Sequence, residues 1–212
     1  MKHILYTYLL LFVTFIQVEA KTPMREWLTT MPDSVMPLLT KNNKLDFIDY
    51  YDAKMEAVVT NRLDGKSRMS KLTDDFLQIS YTQSSNITMK LLPISDSTDV
   101  LCMITTIEGT VSDSRIAFFD AQWQPLETTL YFTEPCMEDF RSTLQSDSTD
   151  GIWDKMDIFF RTYSLEAENT ELKCMLTTPD YLSTEDREKV IPCLRKEPLT
   201  YCWTNGKYLR NE

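Results

Sequence analysis

Between residues 44 and 63 the apolar side chains Phe47, Ile48, Tyr51, Met55, Val58 and Val59 recur three and four positions apart, the spacing that lines one face of an α-helix. The pattern predicts an amphipathic helix that stops near Asp64-Gly65. Just upstream, Met31-Pro32-Asp33-Ser34-Val35-Met36-Pro37 predicts the capped start of a shorter helix, since proline is tolerated in a first turn. From Phe76 the helical spacing gives way to short β-rich runs at residues 76–82, 88–92, 100–107 and 115–120. The separators 83–86, 94–99 and 108–114 carry the Ser, Asp, Asn and Gly that turns require. Two helices followed by a four-stranded antiparallel meander is the expected order.

A shift of 83 residues lays Asn86-Ile87-Thr88-Met89-Lys90-Leu91 on Asn169-Thr170-Glu171-Leu172-Lys173-Cys174, Phe118 on Tyr201 and Leu126 on Leu209. Cys102 and Cys193 match only if one loop lengthens and the next shortens. This suggests a second helix-plus-four-strand copy, with its helical part within 135–156, strands near 157–163 and 171–176, and a linker at 146–151. The expected architecture is α+β, with helices packed on one face of an antiparallel sheet. The alternative is one larger mixed sheet without duplication. The expected layout is a leader at 1–20, helices and meander at 21–130, and the possible second copy, packed on the first, at 131–212.

The leader follows from Lys2 and His3, the apolar run 4–16, and Val18-Glu19-Ala20, which together have the form of a secretory signal cleaved before Lys21. Read instead as an uncleaved anchor, the run falls short of the about 20 apolar residues that span a bilayer. The first cysteine is Cys102, so no lipid-bearing cysteine stands at the cleavage point. The expectation is a protein free in the periplasm or secreted, without a membrane anchor. Removing Lys2 and Glu19 leaves 21 basic and 31 acidic residues and a net charge of −10. With its cations scattered among carboxylates, such a chain is not expected to bind nucleic acid, and its acidity reads as solubility.

His3 is the only histidine, and it leaves with the leader. Ser-His-Asp and Cys-His catalytic pairs and the H-E-x-x-H zinc site are thereby excluded. The four glycines, Gly65, Gly109, Gly151 and Gly206, lie too far apart for a phosphate-cradling loop, and no Ser-x-x-Lys occurs. No cofactor, metal site or catalytic residue is assigned. Asp46, Asp49, Asp52 and Glu56 would share the polar face of the long helix and read as a solvated row. Ser146-Asp147-Ser148-Thr149-Asp150-Gly151, running on to Asp157, has the outline of a calcium loop but begins with Ser rather than Asp, and its near twin at 95–99 lacks the glycine; both read as polar turns.

The five cysteines, Cys102, Cys136, Cys174, Cys193 and Cys202, form no C-x-x-C. Cys102, in an apolar run, reads as a buried small hydrophobe. Cys193 and Cys202 would face each other if Glu197-Pro198 were a two-residue hairpin turn, but proline is unfavourable there. A cross-strand disulfide and two free thiols are both open. Asn86-Ile87-Thr88 fits the glycosylation acceptor pattern, which matters only in a eukaryotic secretory route.

The run from Met31 through Pro37-Leu38-Leu39, then Leu45-Asp46-Phe47-Ile48-Asp49-Tyr50-Tyr51, Leu72-Thr73-Asp74-Asp75-Phe76-Leu77 and Asp113-Ser114-Arg115-Ile116-Ala117-Phe118-Phe119-Asp120, resembles a family of uncharacterised exported proteins from gut bacteria of the Bacteroidales type. The resemblance covers most of the mature chain and implies a periplasmic or secreted setting; it carries no activity.

Two functions compete. The first is a non-enzymatic binding or protein-interaction module, whose exposed sheet face or edge takes a protein or glycan partner. Trp27, Trp123, Trp153 and Trp203 would then be either surface anchors or core residues. The second is a hydrolase acting on carbohydrate through two carboxylates, which needs no imidazole. What separates them is whether a pocket exists and what lines it.

Overall fold

A computed structural model describes residues 21–142, 151 and 153–211. The predicted leader, most of the 146–151 linker and the first positions of the calcium-loop-like run lie outside the described residues.

Helix α1, Met24–Thr30, starts after Pro23 and buries Met24, Trp27 and Leu28. The predicted helix at 31–37 is instead a series of turns, in which Met31 and Met36 are buried. Helix α2, Lys41–Asp52, opens on a capping box: Asn43 N–H donates to Thr40 Oγ1 at 3.1 Å, and Thr40 N–H donates to Asn43 Oδ1 at 3.0 Å. The helix ends eleven residues before Leu63, where the sequence pattern placed its end, because Lys54 turns into the left-handed region at φ 56°. Val58 and Val59 belong to a strand, and Met55 is exposed. Their helical spacing is a coincidence of register across a turn.

Seven strands follow in sequence order as an antiparallel meander: β1 (Ala57–Thr60), β2 (Lys66–Leu72), β3 (Phe76–Thr82), β4 (Ser85–Pro93), β5 (Asp99–Ile107), β6 (Asp113–Phe119) and β7 (Pro125–Leu126). The four predicted strands are β3 to β6. Along β5, Leu101 and Met103 face one core while Val100, Cys102 and Ile104 face another, so the central strands are buried on both sides. The first core is closed by α1 and α2.

The second core is closed by the rest of the chain. Helix α3, Thr128–Tyr131, leads through two short 3₁₀ turns, Met137–Phe140 and Trp153–Lys155, to a four-stranded sheet of β8 (Arg161–Ser164), β9 (Leu172–Leu176), β10 (Leu199–Thr204) and β11 (Lys207–Arg210). Helix α4, Thr184–Val190, lies between β9 and β10. The architecture is α+β, with a helical layer, a seven-stranded sheet and a four-stranded sheet. The 83-residue shift carries β5 onto 182–190, which holds α4, so the two sheets do not correspond strand for strand under it. The helical part of the proposed copy, where described, consists of the two 3₁₀ turns rather than an α-helix.

Lys90 ties the two halves together: its Nζ, on a side chain 1% exposed, reaches Asp75 Oδ2 at 2.8 Å and the Ala167 carbonyl at 2.8 Å. Among the described residues no helix is long and apolar enough to cross a membrane.

Candidate functional site

The last hairpin builds the site. Asn205 and Gly206 have φ 51° and 79°, the two positive values a type I′ turn demands, and they join Thr204 directly to Lys207. In such a hairpin the pair beside the turn exchanges hydrogen bonds and the next pair does not. Thr204–Lys207 and Cys202–Leu209 are therefore bonded pairs, and the series continues in the Asn211 N–H that donates to the Thr200 carbonyl at 2.8 Å. The N–H and C=O of Tyr208 and Arg210 consequently point away from β10. Among the described residues nothing bonds to them.

That free edge opens onto a pocket of about 280 Å³ lined by Tyr201, Lys207, Tyr208, Arg210, Asp139 and the 133–135 loop. Two of its lining residues, Tyr201 and Tyr208, pack edge-on against the buried Phe132 ring at centroid distances of 5.0 and 6.2 Å, and Tyr163 does so at 5.5 Å.

Two carboxylates reach the pocket wall, and each is taken by an arginine. Glu134 pairs with Arg161, whose Nε also donates to the Tyr163 hydroxyl at 2.6 Å and whose guanidinium lies 4.8 Å from the Phe159 ring centroid. Asp139 pairs with Arg210 and accepts the Cys136 N–H at 2.8 Å. Burial opposes ionisation of Asp139, but the Cys136 amide and the Arg210 guanidinium outweigh it and hold its pKa below the usual value.

Three side-chain donors of the lining residues remain uncommitted, one of them the Tyr208 hydroxyl, which is buried without a partner among the described residues. Tyr201 is 4% exposed, yet its hydroxyl has no hydrogen-bond partner among the described residues, and the side chain lines the pocket. Burial raises its pKa well above 10.0, the neighbouring Cys174 thiol adds to the rise, and Arg210 opposes it, so the phenol is a proton-bearing donor. Lys207 likewise lines the pocket without an ion-pair partner among the described residues. The thiol of Cys174, beneath these groups, is pushed by burial to about 12 and stays protonated.

None of the candidate functional residues singled out in the sequence lies in this pocket, although Tyr201 and Leu209, which the 83-residue shift matched to Phe118 and Leu126, line it. Trp27 and Trp123 are core residues, their rings meeting edge-on at 5.4 Å. Trp203 stacks with Tyr131 and Phe118 and donates Nε1–H to the Pro93 carbonyl at 2.8 Å, while Trp153 is half-buried with the Arg141 guanidinium 4.3 Å from its ring. The acidic row is broken up: Asp52 forms a two-armed pair with Arg25 at 2.6 and 2.9 Å, and Glu56 lies beyond the helix end, paired with Arg68. Asn86 is on β4, donating to Glu108 at 2.6 Å.

All five cysteines are free. Cys193 sits in a 3₁₀ turn and β10 begins only at Leu199, so Glu197-Pro198 is not a hairpin turn and Cys193 does not face Cys202. Cys102 is fully buried, as its apolar run predicts. The pocket had one readable signal: Asn205-Gly206 between alternating apolar residues, the dipeptide most typical of a two-residue hairpin.

The geometry defines an α+β domain with an open sheet edge beside a small, donor-rich pocket. Residues 15–208 match the model of the family described as "Protein of unknown function (DUF3256)", and the chain belongs to that family. It is similar to the solved structure of a domain of an uncharacterized protein from Porphyromonas gingivalis W83, at 27% identity and a TM-score of 0.80 over 89% of this chain and 98% of that one. No protein of curated function matches it.

Proposed function

We propose that the protein is a non-enzymatic interaction module, working in the periplasm or outside the cell, that takes an extended segment of a protein partner onto the edge of β11. The observation that carries this reading is the outward-facing backbone of Arg210, an exposed residue, unpartnered among the described residues and beside the pocket, with that of Tyr208, 2% exposed, set behind it. Unpaired strand edges are templates for another strand, and natural proteins shorten, charge or cover them unless they are used. β11 has only four residues and carries Lys207 and Arg210, which discourages indiscriminate pairing. Strand addition draws affinity from main-chain bonds and specificity from a side-chain pocket alongside.

The carbohydrate-hydrolase reading is weaker on this geometry. It needs one carboxylic acid to give up a proton and one free carboxylate to act as base or nucleophile. Glu134 and Asp139 are each paired with arginine, and Asp139 is held ionised.

A phage-displayed library of random peptides tests the proposal. The mature protein is expected to enrich peptides, an Arg210→Ala variant to retain part of that binding, and Arg210→Pro to lose it, because proline deletes the outward N–H while leaving the bonds to β10 in place. Absence of enrichment, or equal binding by the proline variant, would refute strand docking.

A further inference from the structure

We infer that the pocket beside β11 is a carboxylate subsite, which takes the Asp or Glu side chain of the segment that docks on that edge; the inference rests on the strand-docking reading above. Every uncommitted side-chain polar group found there is a donor, and the outward carbonyls of Tyr208 and Arg210 are left for the main-chain N–H groups of the docked segment. Tyr201 offers a hydroxyl from a side chain 4% exposed, fixed by the Phe132 ring at 5.0 Å, so the donor is held in place before any ligand arrives. Lys207 offers an ammonium with no ion pair among the described residues. Arg210 gives Asp139 a single terminal nitrogen, which leaves its other guanidinium N–H groups available. The outward N–H groups of Tyr208 and Arg210 add main-chain donors along the same wall.

The charges agree with the donors. On the pocket wall Lys207 and Arg210 stand against Glu134 and Asp139, and because Glu134 is paired with Arg161 and Asp139 with Arg210, the Lys207 ammonium is the charge left without a partner. Both acids are already neutralised by their arginines, so an incoming carboxylate would meet Lys207 and Tyr201 without displacing an existing pair. A lysine or arginine side chain would be repelled, and a neutral side chain would leave the Lys207 charge unanswered. A volume of about 280 Å³ suits one side chain rather than a folded element.

The same peptide library supplies the probe. The enriched peptides are expected to share an Asp or Glu at one position. Changing that residue to Asn or Gln in the synthetic peptide should weaken binding about tenfold or more, as loss of hydrogen bonds to a charged group does. Tyr201→Phe, which keeps the ring and its packing, and Lys207→Gln should each weaken the acidic peptide by a similar factor and leave its amide counterpart unaffected. Enriched peptides with no fixed acid, or an acid-to-amide change without effect, would overturn the carboxylate assignment; strand docking would stand if Arg210→Pro still abolished binding. The peptide substitution needs no altered protein, so misfolding of a variant cannot obscure the result. No enrichment at all would remove both inferences.

Discussion

Asp75→Asn is predicted to destabilise the protein more than Lys90→Met, although both remove the same ion pair. The two ends of the pair differ in solvation: the Lys90 side chain is 1% exposed and that of Asp75 49%. Asparagine at 75 leaves the Lys90 ammonium buried, with the Ala167 carbonyl as its remaining close acceptor. An uncompensated buried charge costs about 3 kcal/mol or more. At about 2 to 4 °C per kcal/mol for a chain of this size, the melting temperature should fall by about 6 to 12 °C. Methionine at 90 removes the charge together with the pair and keeps an apolar stem of similar length, while Asp75 turns to water. Replacement of that kind is nearly neutral, within about 1 kcal/mol. Paired thermal melts by circular dichroism and urea titrations of the two variants measure the difference directly. If Asp75→Asn is no more costly than Lys90→Met, the burial argument is wrong.

Three further outcomes are expected. Raising the pH from 8 to 11 should lower the urea midpoint steadily: Cys102 and Cys174 are raised above 9.0, and Tyr163, Tyr201 and Tyr208 above 10.0, all chiefly by burial, so above those values the unfolded chain loses protons that the folded one keeps. Lys44, lowered from 10.5 by burial, opposes this trend as one group against five, and a midpoint that is flat or rises would contradict the assignment. In native buffer a thiol reagent should modify Cys136 first and Cys202 more slowly, with Cys102, Cys174 and Cys193 reacting only after unfolding; Cys136 itself should react more slowly than a free thiol because Glu138, burial and Asp139 raise its pKa. Gly206→Ala should cost about 1 to 2 kcal/mol for the left-handed conformation at φ 79°, and somewhat more because the added carbon meets Ile94 Cδ1 at 3.3 Å; an unchanged melting temperature would argue against the type I′ turn.

The meander was legible because β3 to β6 are long and separated by turn-rich loops, so their period survives in the residues alone. The ends of α2 were not, since the spacing of Met55, Val58 and Val59 continues the helical pattern across the turn at Lys54, and only tertiary packing selects the strand. β1 escaped for the same reason, and β2 because Met69 and Leu72 are its only apolar residues. Two-sided burial hides the layering as well: Leu91-Leu92 and Val100-Leu101-Cys102 read as unbroken apolar runs, with no alternation to show that two different cores share them. Apart from the Asn205-Gly206 turn, the pocket left no sign in the sequence because its residues are ordinary in type. Tyr201 and Lys207 matter through what they fail to bond, and a sequence records side chains but not their partners.

The double-faced burial of β4 and β5 also sets an order of assembly. The meander joins neighbours in sequence through short hairpins, so it can zip up early from local contacts. Helices α1 and α2 precede it and are on hand to cover its first face as it forms. Its second face, with Cys102, Ile104, Ile116 and Phe118, waits for Leu199, Tyr201 and Tyr208, which come later in the chain. During that interval the half-built molecule carries a wide greasy surface, and the hairpin that covers it is the one whose outer edge borders the pocket. Closing the second core and forming the edge beside the pocket are therefore the work of the same few residues.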